Sequence, residues 1–242
     1  MIPRFHCPAL LAPGALVPLP PDAAHHAVHV LRLTAGAPLL LFDGRGGQWQ
    51  ARLERLKPHP VATLEIFDAE DRESPIQVTL MQSIPSGDKM DWVVQKAVEL
   101  GVSALQPVAA HRSVIRLAGE RMEKRRQHWQ SVAISACEQC GRNRTPVVGP
   151  ILDLPQALAA TGSDNDTRLI LLPEGGGRLR ELSAPATPIS LLIGPEGGFE
   201  EGEIRAALAA GFRPITLGPR ILRTETAGPA ALAAILALWG DM

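Results

Sequence analysis

Apolar and polar positions change their rhythm once along this chain. Up to residue 67 the apolar runs are short: Pro38-Leu-Leu-Leu-Phe42, Gln48-Trp-Gln-Ala-Arg-Leu53 with rough alternation, and Val61-Ala-Thr-Leu-Glu-Ile-Phe67. Asp43-Gly44 and Gly46-Gly47 punctuate them as turns. That pattern predicts a small antiparallel barrel, with one helical turn around Asp22–Leu31. Further on, Ile76-Gln-Val-Thr-Leu-Met81, Leu169-Ile-Leu-Leu172, Ile189-Ser-Leu-Leu-Ile193 and Pro214-Ile-Thr-Leu217 read as strands. Between them Lys89–Gly101, Met122–Gln139 and Glu201–Ala210 read as helices. In the first, Met90, Val93, Val94, Ala97 and Leu100 recur at helical spacing, and Gly101 suits a C-terminal cap. Continuous apolar strands alternating with helices predict an α/β domain whose parallel sheet is covered on both faces.

Charge marks the boundary between the two patterns. Residues 67–74 hold four acids and one Arg and run into Pro75, a combination that opposes continued secondary structure. We therefore expect a domain over residues 1–70 and a second over 75–242. The formal net charge of −1 conceals a basic stretch, residues 111–144, with eight Arg or Lys against three Glu. Aromatic residues are only 4% of the chain and Tyr is absent, which disfavours an RNA module built on stacking platforms and excludes Tyr from catalysis. Three cysteines argue against a disulfide framework and for a reducing, cytoplasmic setting. Cys137-Glu-Gln-Cys140 spells a lone Cys-x-x-Cys whose thiols are helical neighbours, and Cys7 is remote, so no metal site is expected there. His25, His26 and His29 have no partner carboxylate nearby and read as a helix surface or an RNA contact. The late apolar run Ala227–Trp239 is too short to span a bilayer and contains Gly228 and Pro229, so no membrane association is expected.

Candidate chemistry gathers after three consecutive strands. They end in Pro173-Glu-Gly-Gly-Gly177, Gly194-Pro-Glu-Gly-Gly198 and Gly218-Pro-Arg-Ile-Leu-Arg-Thr-Glu-Thr-Ala227. Ligands of open α/β sheets collect beyond the carboxyl ends of the strands, and glycine lets a ligand approach the backbone. A phosphate-binding Gly-x-x-x-x-Gly-Lys-[Ser/Thr] loop and a dinucleotide Gly-x-Gly-x-x-Gly turn are both missing. A P-loop ATPase and an ordinary Rossmann enzyme are therefore disfavoured.

The run Leu192-Ile-Gly-Pro-Glu-Gly-Gly-Phe199, with Leu217-Gly-Pro-Arg-Ile-Leu-Arg-Thr-Glu-Thr-Ala227, resembles the cofactor site of the RsmE family. These are small-subunit ribosomal RNA uridine-N3 methyltransferases of the SPOUT class. Lys89-Met-Asp-Trp-Val-Val-Gln-Lys-Ala-Val-Glu-Leu-Gly-Val102 is similar to the family's first helix, and Arg112-Ser-Val114 follows it. Glu138-Gln139, Gly141-Arg142 and Pro146 fit the next block. Pro3-Arg4-Phe5, His25-His26 before Val30-Leu31-Arg32, and Phe42-Asp43-Gly44 extend the likeness over essentially the whole chain. Cys137 and Cys140 depart from it, standing where small residues such as Ala and Ser are expected.

The resemblance implies a PUA-like β-barrel followed by a SPOUT domain tied in a trefoil knot, a homodimer, and S-adenosylmethionine as cofactor. Its pocket is expected at Leu172, Pro173 and Glu174; at Ile193, Gly194, Pro195, Glu196 and Gly197; and at Leu217, Gly218, Ile221, Leu222, Arg223 and Thr226. Arg223 is the candidate for stabilising charge on the uracil oxygens, and Glu225 or Glu196 for taking the N3 proton. The alternative for all three is a set of loop-fixing ion pairs. Arg4, Arg32, Lys96, Arg112, Ser113 and Arg142 are the candidate contacts to small-subunit ribosomal RNA. Arg116, Arg121, Lys124, Arg125, Arg126 and Arg144 complete the basic stretch, part of which reads as a solvated helix face. Two other functions compete: a non-catalytic ribosome-assembly factor, and a SPOUT enzyme acting on another RNA atom such as a ribose 2′-OH. Intact glycine loops weigh against the first, and Glu225-Thr-Ala227 in place of a Ser-Leu-Asn-like motif against the second.

Overall fold

Why the rhythm changes is plain once the strands are paired. The computed structural model describes residues 2–9, 12–113, 119–162, 166–185 and 188–242. They fall into two compact units, Met1–Glu73 with Ile134–Thr145, and Ser74–Ala133 with Pro146–Met242.

The first unit holds β1 (Arg4–His6), β2 (Leu16–Pro18), α1 (Pro21–His25), β3 (Pro38–Phe42), β4 (Gln48–Arg55) and β5 (Val61–Asp68). One π-type turn, His26–Val30, continues α1. The strands form a single sheet in the order β1-β3-β4-β5-β2. Along β4, Trp49, Ala51 and Leu53 turn inward while Gln50, Arg52 and Glu54 face solvent, the alternation of a sheet with one buried face. Phe5, Leu39, Leu41 and Leu64 close the core against them. The expected antiparallel pairing holds for β2 to β5, but β1 lies parallel to β3. The connection between those two strands runs through β2 and α1, long enough to permit a parallel return.

The second unit follows as β6 (Val78–Ser83), α2 (Lys89–Glu99), β7 (Ala104–Ala109), α3 (Glu120–Cys140), β8 (Val147–Val148), β9 (Leu152–Asp153) and α4 (Leu154–Ala159). It ends with β10 (Thr167–Leu171), β11 (Gly177–Arg178), β12 (Ile189–Ile193), α5 (Glu201–Ala209), β13 (Arg213–Thr216) and α6 (Thr224–Trp239). From Ile134 onward the residues of α3 belong to the first unit. The sheet runs β11-β13-β10-β12-β6-β7-β8, with β9 also on β7, and its pairs are parallel. All five residues of β12 are buried, as a continuous apolar strand in a covered parallel sheet requires. Strand β7, which was not read from the sequence, contains Pro107, a residue that opposes a central strand. The structure accommodates it: β8 pairs with Ala104 and Leu105, β9 with Val108 and Ala109, and Pro107 falls in the gap between them. The apolar run at the C-terminus is α6, which buries Ala231, Leu232, Ile235 and Leu236. No helix among the described residues is long and apolar enough to cross a membrane.

Candidate active site

The sheet order sets β13, β10 and β12 side by side, so the three glycine-marked loops lie together at one edge of the sheet. Around them is a cavity of about 400 Å³. Leu172 and Pro173 line it from the first loop, and Ile193, Gly194, Pro195 and Glu196 from the second. Leu217, Gly218, Ile221, Leu222 and Arg223 line it from the third. Of the residues expected at the cofactor site or in catalysis, Glu174, Gly197, Glu225 and Thr226 lie outside that lining. Lining residues that the sequence reading did not nominate include Lys89, Phe199, Thr216, Arg220, Thr224 and Ala227. Four of these, Phe199, Arg220, Thr224 and Ala227, stand within the very motifs quoted for the resemblance, and Lys89 opens another.

Local packing explains the glycines at two positions. A Cβ on Gly194 would stand 3.1 Å from the Phe199 ring, so glycine lets the ring pack tightly against the loop without being displaced. Gly218 has φ +72°, and a Cβ on it would meet nothing within 4 Å, which leaves its backbone open to the cavity. Beneath the loops runs a buried polar chain. The Thr224 hydroxyl donates to the Gly194 carbonyl at 2.6 Å and accepts from Gln82 Nε2 at 3.0 Å. The same Gln82 nitrogen donates to the Ser83 carbonyl at 3.0 Å. These bonds tie β6, the loop after β12 and the start of α6 into one piece.

Beside that chain sit the charged groups. Glu196 Oε1 accepts from the Ser86 amide at 2.9 Å, the Ser86 hydroxyl at 2.7 Å and Lys89 Nζ at 3.2 Å. Burial alone pushes this carboxyl up, but the Ser86 and Lys89 hydrogen bonds outweigh it and bring its pKa down to about 2. Lys89 Nζ also lies 3.5 Å from Glu225 Oε1, while Glu225 Oε2 is buried without a hydrogen-bond partner. Arg223 precedes the first residue of α6 as its N-cap and is exposed, as is Arg220.

Arg112 has its place next to this loop. Its Nη1 donates to the Gly197 carbonyl at 2.9 Å, and its Nε lies 3.6 Å from Glu200 Oε1. A Cβ on Gly197 would lie 3.3 Å from Arg112 Cδ, so this glycine packs closely against the arginine. Ser113 is buried, its hydroxyl accepting from the Ala110 amide at 3.2 Å. Lys96 pairs with Glu99 at 2.8 Å on α2.

In the first unit Arg142 is 4% exposed and forms a two-pronged ion pair with Glu73. Its carbonyl accepts from Arg4 Nη2 at 3.0 Å; Arg4 also bonds Gln48 and Asn143 and lies over the Phe42 ring. Arg142, expected as a phosphate contact, is thus found with its charge engaged by Glu73 inside the fold. Arg32 is exposed, with φ +53°, a conformation few residues other than glycine adopt. Cys137 is buried and its thiol is pushed up to about 12, chiefly by that burial, which removes the thiolate a redox or zinc motif needs. Among the described residues no group of three His, Cys, Asp or Glu is placed to hold a metal ion. Val114 and Arg116 lie outside the described residues.

Comparison with known proteins defines the class. A family model described as an RNA methyltransferase domain matches residues 72–236, and one described as an RNA methyltransferase PUA domain matches residues 19–65. The ribosomal RNA small subunit methyltransferase E of Buchnera aphidicola is 33% identical over 100% of this chain and 98% of its own. The Neisseria gonorrhoeae enzyme of the same name, solved bound to S-adenosylmethionine, is 44% identical with a TM-score of 0.93 over 100% of both chains. A Legionella pneumophila protein solved with bound SAM is 37% identical, TM-score 0.96, again over 100% of both chains. The chain belongs to the ribosomal RNA small subunit methyltransferase E family. The resemblance read from the motifs, and the α/β fold with a PUA-like first domain, are thereby borne out.

Proposed function

We propose that this chain transfers a methyl group from S-adenosylmethionine to N3 of a uridine in small-subunit ribosomal RNA. The observation that carries the reading is the meeting of three loops, at neighbouring strand ends, around a cavity of about 400 Å³. That volume lies in the range of small-molecule sites, roughly 300–1,000 Å³. The open backbone at Gly218 and the apolar walls at Leu172, Ile193 and Leu222 suit a flat adenine with a ribose and an amino-acid tail. When bound, the cofactor supplies an electrophilic methyl on a sulfonium, a chemistry that needs no metal.

The protein's part is to bind, orient and move one proton. N3 lies on the Watson–Crick edge, so the target base must be unpaired or flipped out. Holding it in line with the methyl supplies up to ~7–11 kcal/mol of the barrier. Arg223, exposed at the cavity wall, is placed to offset charge growing on the uracil oxygens. A carboxylate, Glu196 or Glu225, accepts the N3 proton, a role worth ~10²–10⁴ in rate. The PUA-like unit binds RNA, and we place the functional boundary between the two domains near Glu73 and Ser74. A homodimer and a trefoil knot belong to the same reading; the knot is supported by β13, which inserts between two strands that precede it in the chain.

The test is methylation of unmodified small subunits in vitro, followed by reverse transcription. A methyl at N3 blocks pairing, so a single new stop at one uridine is expected, dependent on the cofactor. Methyl transfer to a ribose hydroxyl, or a protein that takes up no S-adenosylmethionine in calorimetry, refutes the proposal.

A further inference from the structure

We infer that Arg112 is a positioning residue of the cofactor site, clamping the turn after β12 that forms part of the cavity wall, and is not a phosphate contact. The inference rests on the S-adenosylmethionine-dependent reading proposed above and deepens it by naming what holds that wall. Residues 195–198 make a tight turn: the Gly198 amide donates to the Pro195 carbonyl at 2.9 Å, with Gly198 at φ +67°. Pro195, Glu196 and Gly198 line the cavity, and Gly197, between them in the chain, does not. Its carbonyl accepts instead from Arg112 Nη1 at 2.9 Å, which fixes the peptide plane in the middle of the turn. The stem of the arginine lies close along the same glycine, where a Cβ would meet Arg112 Cδ at 3.3 Å and Cβ at 3.4 Å. On the other holds, Ser86 and Lys89 fasten the Glu196 side chain, and Thr224 fastens the Gly194 carbonyl. Arg112 adds a hold on the turn's own backbone, from a different part of the sheet.

The arginine is delivered by a second turn, residues 110–113, which follows β7. There the Ser113 amide donates to the Ala110 carbonyl at 2.9 Å, and the buried Ser113 hydroxyl accepts from the Ala110 amide at 3.2 Å. This second turn is fastened to the start of α5. The His111 amide donates to Glu203 Oε1 at 2.9 Å, and His111 Nδ1 lies 3.0 Å from Glu200 Oε1. The same Glu200 oxygen is 3.6 Å from Arg112 Nε. Glu203 Oε2 in turn accepts from the Glu200 amide at 2.9 Å, part of the capping box of α5. Half exposed as it is, the pairing with Glu200 contributes little by itself. What it does is aim the guanidinium, so that a charged donor meets the Gly197 carbonyl, a stronger bond than a neutral donor makes. A phosphate that drew this guanidinium away would break the Gly197 bond and loosen the wall just when RNA and cofactor must be held together. The two roles therefore oppose each other, and the geometry gives the clamp.

The experiment compares wild-type protein with Arg112→Ala, Arg112→Lys, Glu200→Gln and the double variant of Arg112→Ala with Glu200→Gln. It measures S-adenosylmethionine affinity by calorimetry, thermal unfolding, methylation kinetics on small subunits, and RNA affinity across a salt series. Arg112→Ala is expected to weaken cofactor binding about tenfold, the scale of one charge-assisted hydrogen bond. The KM for the cofactor rises in step, while kcat at saturating cofactor stays within about threefold, the pattern of lost ground-state binding. The slope of log RNA affinity against log salt is unchanged. Arg112→Lys, which still donates to the Gly197 carbonyl, recovers part of the loss. Glu200→Gln weakens cofactor binding about threefold, and the double variant loses less than the product of the two single effects, because Glu200 acts through the arginine.

Wild-type cofactor affinity in Arg112→Ala overturns the inference while leaving the methyltransferase reading intact. So does a fall of ~0.7 in the salt slope, the signature of one lost phosphate contact on single-stranded RNA. If Arg112→Ala fails to fold, Arg112→Lys and Glu200→Gln decide, and wild-type cofactor affinity in both overturns it. A wild-type protein that takes up no S-adenosylmethionine removes the reading beneath it.

Discussion

Glu196 shows how one side chain settles between opposing effects. Burial is the largest single influence on its carboxyl and pushes the pKa up, but the two bonds from Ser86 with the one from Lys89 together prevail. The sign of the linkage follows from the direction. The folded value lies below the unfolded 4.5, so the stabilisation is fully present above pH 4.5 and is lost as pH falls through about 2. Carbon-13 NMR of the labelled carboxyl is expected to show a midpoint near 2, and Ser86→Ala to move that midpoint up toward 4.5. A wild-type midpoint at an ordinary carboxylate value means that the Ser86 bonds are not made in solution. At this scale the sequence could nominate Glu196 but not its role, since Ser86 is 110 positions away and nothing in the local pattern pairs them. Arg142 is alike: its partner Glu73 is 69 positions distant, and only the fold reveals that the two charges meet.

Element packing at the start of α6 decides whether the cavity keeps its shape. Thr224 bonds the loop after β12 and is itself held by Gln82 on β6. One turn later Gly228 lets the helix lie against β6: a Cβ there would meet Gln82 Oε1 at 2.7 Å and the Leu80 methyls at 3.5 Å. Pro229 follows, buried and inside the helix. It removes one backbone donor and so weakens the second turn on its own account. Close packing on β6 therefore carries the beginning of this helix. Gly228→Val is expected to lift α6 off the strand, costing about 1–3 kcal/mol by overpacking. It should also break the Gln82–Thr224–Gly194 chain and weaken S-adenosylmethionine binding at least about tenfold, a difference of roughly 1.4 kcal/mol. Urea unfolding and calorimetry measure the two effects, and unchanged affinity would show that the cavity tolerates movement of the helix. The sequence reading took Gly228 and Pro229 only as interruptions of an apolar run. Their packing role was invisible, because it depends on a strand some 145 positions upstream.

Over the whole molecule, what could be read in advance was whatever the chain writes locally. The strand Ile189–Ile193 and the helix beginning at Glu201 are continuous patterns that match the structure closely. The sheet order is not local. Bringing β13 between β10 and β11 makes one cavity of three loops, and only pairing across the chain could show it. Charge has the same two aspects. The balance of the basic stretch was a count, whereas the structure sorts its cations by whether they are already engaged. Arg126 is tied to Glu123 at 2.6 Å and donates to the Val148 carbonyl, and Arg142 is buried on Glu73. Arg121, Lys124 and Arg125 are spaced to share one face of α3, with Lys124 and Arg125 only loosely paired at 3.9 Å. We propose that face as the phosphate contact. Each phosphate neutralised on single-stranded RNA contributes ~0.7 to the slope of log affinity against log salt. Replacing Arg121 and Lys124 together with Ala is therefore expected to flatten that slope by ~1.4 and weaken binding most at low salt. Arg126→Ala, which releases Glu123 and the Val148 carbonyl, should leave the slope where it was. Equal slopes for all three proteins, measured by RNA titration across a salt series, would move the RNA footprint off α3 and onto the cations of the PUA-like unit, of which exposed Arg32 is the first to replace.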